Sequence, residues 1–433
     1  MIRGCLLVAS FVVAAGCMKT SATYCARHGA EDPENCPPGD AAGETCMSNT
    51  DCADVAGRLV CNLEVGSCVQ CNAASAQTTA CEGPKPVCGA DDTCRACISH
   101  IECPSSVCLP NGRCGNEDEV LFVVGSTTPS TNTACTRQSP CDKVQKALAV
   151  VPQRSYIKIS GTLIEAVVVN NRDVTLLAAV GAMIANSAND TTVLAVTGSS
   201  HVDVHDLQIG DGNARTLGVR LDTAAGGSLL LHRVRIADNF SGGISAVGGQ
   251  LSVLSSTISD NIKGGIVVRS TAGKFDIRNN FIYSNGTGSG TNTTLYGGVL
   301  IEADAAGKLE FNTVAFNEGN GLQNRSGIAC YGASNSANGN LAYGNRDGVA
   351  GPDSALQIGG NCPTGTSFAL GSGDLGFRNP SPATPDFHLT ALSPSTVVDA
   401  GGMCKGSNGV DIDGQARPDN GACDVGADEL DTP

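Results

Sequence analysis

Four consecutive stretches of the chain repeat one strand template at intervals of 27, 22 and 24 residues. Alternate residues of a strand share a face, so a template with a two-residue corner predicts a strand that bends and continues as a second strand. A third strand, introduced by glycine as in Gly264–Val268, follows in each repeat. Three short parallel strands per repeat predict a β-solenoid. The template has two inward-facing residues, the corner and two more inward-facing residues, and it starts at Val202, Leu229, Leu251 and Phe275.

Asparagines recur at one position, just after the second strand of each repeat. Side-chain amides stacked one coil apart can hydrogen-bond to each other, and asparagine also suits tight turns. We therefore expect these residues to stabilise the corners of the solenoid rather than to carry chemistry. They are Asn239, Asn261, Asn285, Asn317 and Asn345.

The repeat from residue 119 onward resembles the right-handed parallel β-helix of the pectate-lyase-like superfamily. The stretch from Val124 to Leu148 is similar to the N-terminal cap of these proteins, which has a strand, a loop and a small helix before the first coil. The resemblance implies an all-β chain in which residues 119–380 form the cap and a right-handed parallel β-helix with three strands per coil. Three disulfides are expected from the cap to the C-terminus: Cys135–Cys141, Cys330–Cys362 and Cys404–Cys423.

The C-terminal tail carries two motifs rich in Asp and Gly, residues 411–418 and 423–429. Residues 381–433 resemble the C-terminal module of bacterial β-helix proteins called choice-of-anchor Q, which implies a cell-surface protein and no particular reaction. Contacts of its acidic residues with Arg417 would brace the loop. The alternative is a Ca²⁺ site, because four carboxylates carry enough oxygens, although the later Glu of an EF-hand loop is missing. The four are Asp411, Asp413, Asp424 and Asp428.

Cysteines are concentrated near the N-terminus, where 14 of the 22 lie within residues 25–114. Residues 46–115 divide into three tandem units of four cysteines, which begin at Cys46, Cys71 and Cys97. Four cysteines permit three pairings, and the sequence leaves the choice open. Cys-x-x-Cys spacing would indicate zinc in a cytosolic chain, whereas an exported chain favours disulfides. Few apolar residues lie between these cysteines, so cross-links must supply the order of this disulfide-rich region.

Residues 1–16 have the features of a secretory signal, since the apolar run Leu6–Ala15 is too short to span a bilayer. The end of the run, Val13–Cys17, resembles the lipobox of bacterial lipoproteins, in which cleavage precedes a diacylated cysteine. The resemblance implies lipidation of Cys17 and a tether over residues 17–45. It also implies export and anchoring to a bacterial membrane, at the outer membrane or the cell surface. One departure from the usual lipobox residues leaves an ordinary secreted protein as the alternative.

Superposing the repeats aligns three acidic residues in successive coils, here called the Asp ridge: Asp211, Asp238 and Asp260. Adjacent coils are about 4.8 Å apart, so these carboxylates would be spaced like the pair of a retaining glycosidase. The alternative is that aspartate occurs there because it suits turns. A second cluster has the residue types of a transition-metal or acid–base site, or of solvent-facing corners. It contains His201, Asp203, His205 and His232.

Acidic residues outnumber basic ones by 42 to 27, so the formal net charge is −15. Nucleic-acid binding needs clustered Lys and Arg against phosphates, and this composition predicts no such partner. A membrane, through the lipid anchor, and a surface polysaccharide or protein are the expected partners.

The active-site motifs of the family's enzymes are missing. Polygalacturonase-like members carry Asn-Thr-Asp, whereas Asn312-Thr313-Val314 ends in valine, and the Asp-Asp pair at 91–92 lies among the cysteines. The Trp-Ile-Asp-His segment of pectate lyases has no counterpart because the chain has no tryptophan. We therefore expect non-catalytic adhesion or recognition of a polysaccharide or protein. The alternative is a polysaccharide lyase or glycoside hydrolase that uses the Asp ridge.

Overall fold

The chain forms two compact units, one ending at Asn116 and the other beginning at Glu117. Among the residues described below, no helix has the length and apolar character needed to cross a membrane. The computed structural model describes residues 46–430, apart from 56, 73–80, 127, 189–190, 211–214, 224–225, 270–272, 287–295, 303–304, 320–325, 332–334, 348–357, 361–367, 371–374, 403–409 and 418–421.

The first unit consists of short antiparallel strand pairs and 3-10 turns held by disulfides. Val60–Asn62 pairs with Ser67–Val69, and Val87–Cys88 pairs with Cys94–Arg95. The 3-10 turns are Asn49–Cys52 and His100–Glu102. Disulfides, rather than zinc sites, are confirmed, and each tandem unit joins its first cysteine to its third and its second to its fourth. The bonds are Cys46–Cys61, Cys52–Cys68, Cys71–Cys88, Cys81–Cys94, Cys97–Cys108 and Cys103–Cys114.

The second unit is a parallel β-helix with three strands per coil, which confirms the predicted fold. Three long sheets run along it, and each coil passes through sheet 1, sheet 2 and sheet 3 in turn. Sheet 1 contains Val120–Val124, Tyr156–Ser160, Val174–Ala178, His201–His205, Ser228–His232, Gln250–Leu254, Lys274–Arg278, Ala306–Glu310 and Asn335–Asn338. Sheet 2 contains Thr162–Ile164, Met183–Ala185, Gln208–Ile209, Arg235–Ala237, Thr257–Ser259, Phe281–Tyr283, Thr313–Ala315, Leu341–Tyr343 and Phe368–Leu370. Sheet 3 contains Val167–Asn170, Thr192–Gly198, Leu217–Thr223, Ile244–Ala246, Ile266–Val268, Val299–Ile301, Ile328–Cys330 and Ile358–Gly360.

The strand register matches the superposition made from the sequence. Val202, Leu229, Leu251 and Phe275 are successive partners on sheet 1. The side chains of these four residues point inward, and so do those of the residues two positions later in each strand. Val204, for example, is fully buried. Alternation of apolar residues inward and polar residues outward therefore produces one continuous core along the coils.

A small cap covers the first coil. The helix Val144–Leu148 follows the first strand of sheet 1, and its residues Val144 and Ala147 are buried against the core. Cys135 is bonded to Cys141, and Cys141 bridges to Val123 of that strand. The cap therefore protects the open end of the apolar core from water.

Stacked asparagines line two of the three corners of the coils. The predicted ladder is confirmed: Asn239, Asn261, Asn285, Asn317 and Asn345 are fully buried, and each Nδ2 donates to the next Oδ1 at 2.9 Å. A second ladder, which the sequence analysis missed, joins Asn280, Asn312 and Asn340 at the corner between sheets 1 and 2. The ladders satisfy buried backbone groups where the chain turns and cannot form sheet hydrogen bonds.

The C-terminal segment packs against the outer face of sheet 2. Its antiparallel hairpin, Phe377–Asn379 and Asp386–Leu389, places Phe377 and Phe387 among the outward rings Phe281 and Tyr343. Ring centroids in this cluster lie 5.4 to 5.8 Å apart. Sheet 2 therefore has a second apolar layer on its outside over its later coils.

Two further short strands, Glu318–Gly319 and Arg346–Asp347, pair in parallel beside the later coils. Cys330 and Cys423 are each disulfide-bonded. Their predicted partners, Cys362 and Cys404, lie outside the described residues, as do Cys17 and Asp211.

Candidate functional site

The described part of the Asp ridge lies at one corner, between sheets 2 and 3. Asp238 and Asp260 follow the paired strands Arg235–Ala237 and Thr257–Ser259, so they occupy equivalent positions on neighbouring coils. Both side chains are exposed. Desolvation raises the pKa of Asp260, and the neighbouring charge of Asp238 adds to the shift. The structure thus brings the two predicted carboxylates side by side.

Backbone geometry gives these aspartates a structural reason to be present. This corner position has a positive φ in five successive coils, a conformation that glycine, asparagine and aspartate tolerate best. Its occupants differ widely in chemistry, as a turn position permits. They are Asp238, Asp260, Ser284, Phe316 and Gly344, with φ between 53° and 61°.

The predicted histidine cluster divides into two parts on the outer face of sheet 1. Nδ1 of His205 and Nδ1 of His232 lie 3.3 Å apart, whereas His201 Nδ1 faces Ser228 Oγ at 2.9 Å. Arg233 Nη1 lies 3.3 Å from His232 Nδ1. Desolvation, followed by the charge of Arg233, lowers the pKa of His232. A guanidinium at this distance repels a metal cation, so the pair is a poor metal site.

Lys158 is a buried cation on the same face of sheet 1, and sequence reasoning missed it. Its strand neighbours are Phe122 and Leu177, it is 6% exposed, and its Nζ has no hydrogen-bond partner among the described residues. Burial lowers the pKa of Lys158 to about 7, and the charge of Asp206 opposes this only in part. The sequence signal for this residue was a lysine at the outward position between the inward residues Ile157 and Ile159 of an alternating strand.

Lys158 is expected to make the stability of the protein rise as the pH increases from about 7 to 9. In that range the unfolded lysine still binds a proton while the folded one has lost it, so deprotonation favours the folded state. Lys158→Met should raise the free energy of unfolding by roughly 2–4 kcal/mol at pH 6 and flatten the pH profile. Urea denaturation at several pH values measures this. Lys308→Met, an exposed lysine of sheet 1, is the control, and an unchanged profile in Lys158→Met would contradict the assignment.

A surface groove of about 290 Å³, here called the corner groove, follows the turn between sheets 1 and 2. Arg233 binds Asp206 through two hydrogen bonds of 2.7 and 2.9 Å, so its guanidinium already has a carboxylate partner. Arg235 is exposed on the next outward position, and no described residue accepts a hydrogen bond from its guanidinium or forms an ion pair with it, although its charge acts on Asp260. The lining is Asp206, Leu207, Gln208, Arg233, Val234, Arg235, Ser255, Thr257 and Ile412. The sequence signal for this cation was the pair Arg233 and Arg235, at the predicted corner and in the strand after it.

Two of the four proposed calcium ligands accept hydrogen bonds from backbone N–H groups. Asp411 accepts hydrogen bonds from the N–H groups of Asp413, Gln415 and Glu429 at 2.8 to 3.1 Å. Asp424 accepts from the N–H groups of Asp399 and Leu430 at 2.7 and 2.6 Å. Both carboxylates are buried, and desolvation raises the pKa of each. Their oxygens therefore brace the loops of the tail.

Arg417 contributes to the same bracing. Its Nη1 binds Glu429 Oε2 at 2.6 Å, its Nη2 donates to the Gly426 carbonyl at 2.9 Å, and its guanidinium lies 4.6 Å from the Phe311 ring centroid. Desolvation raises the pKa of Glu429 to about 7 in spite of this pair. Arg417 therefore braces the loop through Glu429 and Gly426, and its described hydrogen bonds include none to the four aspartates of the prediction.

The other two acids, Asp413 and Asp428, lie together beside His388. His388 Nε2 is 3.0 Å from Asp413 Oδ2, and its Nδ1 contacts Asp386 Oδ1. The structure thus separates the four predicted ligands into two pairs. Sequence reasoning missed His388, although the alternation Asp386-Phe387-His388-Leu389 indicated that the acid and the imidazole share one face.

No family model matches this chain, and no curated protein sequence matches it. Among solved structures, the crystal structure of pectate lyase Pel9A is similar, with 13% sequence identity and a TM-score of 0.44. The match covers 72% of this chain and 96% of that chain. A likeness at this level transfers no residue role to the corner groove or the Asp ridge.

Proposed function

We propose that this chain is an exported, lipid-anchored surface protein whose β-helix binds an acidic polysaccharide without cleaving it. The observation that supports this function is the exposed guanidinium of Arg235 in the corner groove, which has no hydrogen bond or ion pair with a described residue. A guanidinium presents donors in a plane that matches a carboxylate, so a uronate sugar is the ligand class that fits. Gln208 and Thr257, on either side of Arg235 along sheet 2, can bind hydroxyl groups.

The absence of cleavage is inferred from the Asp ridge. Asp238 and Asp260 occupy a left-handed turn position that serine, phenylalanine and glycine fill in the next coils. Turn geometry is sufficient to account for both acids without a catalytic role.

Arg235→Gln is expected to weaken binding of polyuronate by roughly 10-fold or more, because a charge-assisted hydrogen bond is lost. The measurement is the dissociation constant of the full-length protein for immobilised uronates and neutral glycans. Arg220→Gln is the matched control, since Arg220 is an exposed arginine on sheet 3, paired with Asp222. Equal dissociation constants of the two variants for polyuronate, or binding to neutral glycans alone, would contradict the role of Arg235.

A lyase or hydrolase is the second candidate, favoured by the raised pKa of Asp260 beside Asp238. It predicts that the purified protein generates new reducing ends or unsaturated products from the glycans it binds. Asp260→Asn should then abolish product formation and leave binding intact. If the native protein forms products and Asp260→Asn does not, the proposal that the protein binds without cleaving is wrong.

Lipidation has its own test at Cys17. Cys17→Ser is expected to move the protein from the membrane fraction to the soluble exported fraction, because a diacyl anchor requires the cysteine sulfur. Fractionation of expressing bacteria, followed by immunoblotting, measures this. Cys330→Ser is the matched control for loss of a cysteine, and an unchanged membrane fraction for Cys17→Ser would refute the anchor.

A further inference from the structure

Three side chains from separate parts of the C-terminal segment meet at one point. His388 comes from the strand Asp386–Leu389, Asp413 from the loop after Val410, and Asp428 from the tail. One potential ligand atom from each residue lies within 4.8 Å of the others. We propose that these residues form a binding site for a divalent transition-metal ion of the zinc class.

His388 is oriented as a metal ligand would be. Its Nδ1 contacts Asp386 Oδ1, and its backbone N–H donates to the same oxygen at 3.2 Å. The ring also packs edge-on against Phe281, with centroids 5.3 Å apart. A carboxylate on one imidazole nitrogen fixes the ring and directs the other nitrogen, here Nε2, toward the ion. Nε2 is the atom that faces Asp413 at 3.0 Å.

Asp428 supplies an observation independent of the histidine. The residue is 5% exposed, and its Oδ2 accepts the Leu389 N–H at 2.6 Å. Among the described residues, its Oδ1 takes part in no hydrogen bond. Oδ1 is not one of the described buried atoms that lack a partner, so it is open to solvent or to an ion. A metal ion beside His388 would satisfy this carboxylate.

The donor set distinguishes between metals. Calcium is bound by oxygen ligands, usually six to eight of them, whereas this site has one nitrogen and two carboxylates. Imidazole with carboxylates suits Zn²⁺ and related ions, which bind at about 2.0–2.2 Å and keep their ligands roughly 3.4 Å apart. The observed separations, 3.0 Å and at most 4.8 Å, require only small side-chain rotations. Asp413 is half-exposed, so the ion has a route from solvent and a position for water.

Metal binding would join three chain segments that are distant in sequence. The hairpin carrying His388 contacts sheet 2 through Phe387, and Asp413 and Asp428 belong to the motifs that follow it. An ion held by all three would therefore fasten the tail to the hairpin. The site is separate from the corner groove, so it does not depend on glycan binding.

The test uses the full-length, oxidised, tag-free protein after removal of metals with a chelator. Calorimetric titration with Zn²⁺ should give one tight equivalent, and Co²⁺ should give the visible absorption of a protein-bound ion. His388→Gln and Asp413→Asn should each abolish that equivalent. Asp386→Asn, a change in a positioning residue, should weaken it by about 10–100-fold. His201→Gln, an exposed histidine elsewhere, is the control and should bind as the native chain does.

The melting temperature without metal distinguishes a variant that has lost the metal site from one that no longer folds. Asp413 is half-exposed, and an asparagine oxygen can still accept a hydrogen bond from His388 Nε2, so Asp413→Asn should melt close to the native temperature without Zn²⁺. The native chain should melt at a higher temperature when Zn²⁺ is added, and Asp413→Asn should not. Failure of the native chain to bind Zn²⁺ or Co²⁺ stoichiometrically would overturn the proposal. So would undiminished binding by Asp413→Asn.

Discussion

Replacing Asn285 with leucine is expected to lower the free energy of unfolding of the β-helix by about 2–4 kcal/mol. Asn285 is fully buried, and its Oδ1 accepts both the backbone N–H and the Nδ2 of Asn261, at 3.2 and 2.9 Å. Leucine fills nearly the same volume but accepts nothing. The backbone N–H of Asn261 would then be buried without an acceptor, which costs more than the lost hydrogen bond itself.

Urea denaturation of the full chain, followed by far-UV circular dichroism, measures this loss. Asn170→Leu is the matched control, because Asn170 is exposed on sheet 3 and should change the stability by less than about 0.5 kcal/mol. Asn317→Leu should behave like Asn285→Leu, since Asn317 occupies the next rung. If all three variants unfold at the same urea concentration, the amide stack does not stabilise the coils.

Reduction of the disulfides is expected to unfold the first unit completely while the β-helix keeps its structure. The described buried apolar side chains of residues 46–116 are mostly half-cystines, joined by Val60, Val107 and Leu109. Each bond closes a loop with a sequence separation of 11 to 17 residues, worth roughly 3 kcal/mol. Loss of six such cross-links exceeds the total stability of a unit of this size. The β-helix has a continuous apolar core that needs no cross-link.

Limited proteolysis with and without reductant, followed by mass spectrometry, tests this difference. Reductant should make residues 46–116 protease-sensitive and leave a resistant fragment that begins near Glu117. A double variant, Cys135→Ala with Cys141→Ala, is the control within the β-helix and should retain that fragment in the absence of reductant. Equal protection of both units after reduction would mean that non-covalent packing, not cystine, orders the first unit.

Local patterns were sufficient to predict most of the second unit. The period of about two dozen residues predicted the coils because each strand depends on the alternation of side chains and each corner on asparagine or a left-handed residue. The register of Val202, Leu229 and Leu251 on sheet 1 follows directly from that period. The second asparagine ladder was missed because serine begins it at Ser256, where the amide pattern is not yet visible.

The composition of the first unit indicated disulfides, but not which cysteines they join. All three pairings of four cysteines satisfy the sequence, and the loop lengths differ too little to separate them. In the tertiary structure the antiparallel strands place the third and fourth cysteines opposite each other, as Cys61 and Cys68 are. These two bond to the first and second cysteines, which the preceding 3-10 turn segment supplies.

By itself, the amino-acid sequence determined the all-β class, the three-strand coil, the stacked asparagines and the cross-linked N-terminal unit. Each of these is encoded by spacing along a short stretch, where neighbours in sequence are neighbours in space. Only the tertiary structure decided that Asp413 and Asp428 meet His388, that Asp411 and Asp424 bind backbone, and that Arg235 lines the corner groove. These contacts join segments far apart in the chain, and their geometry depends on how the tail packs against sheet 2.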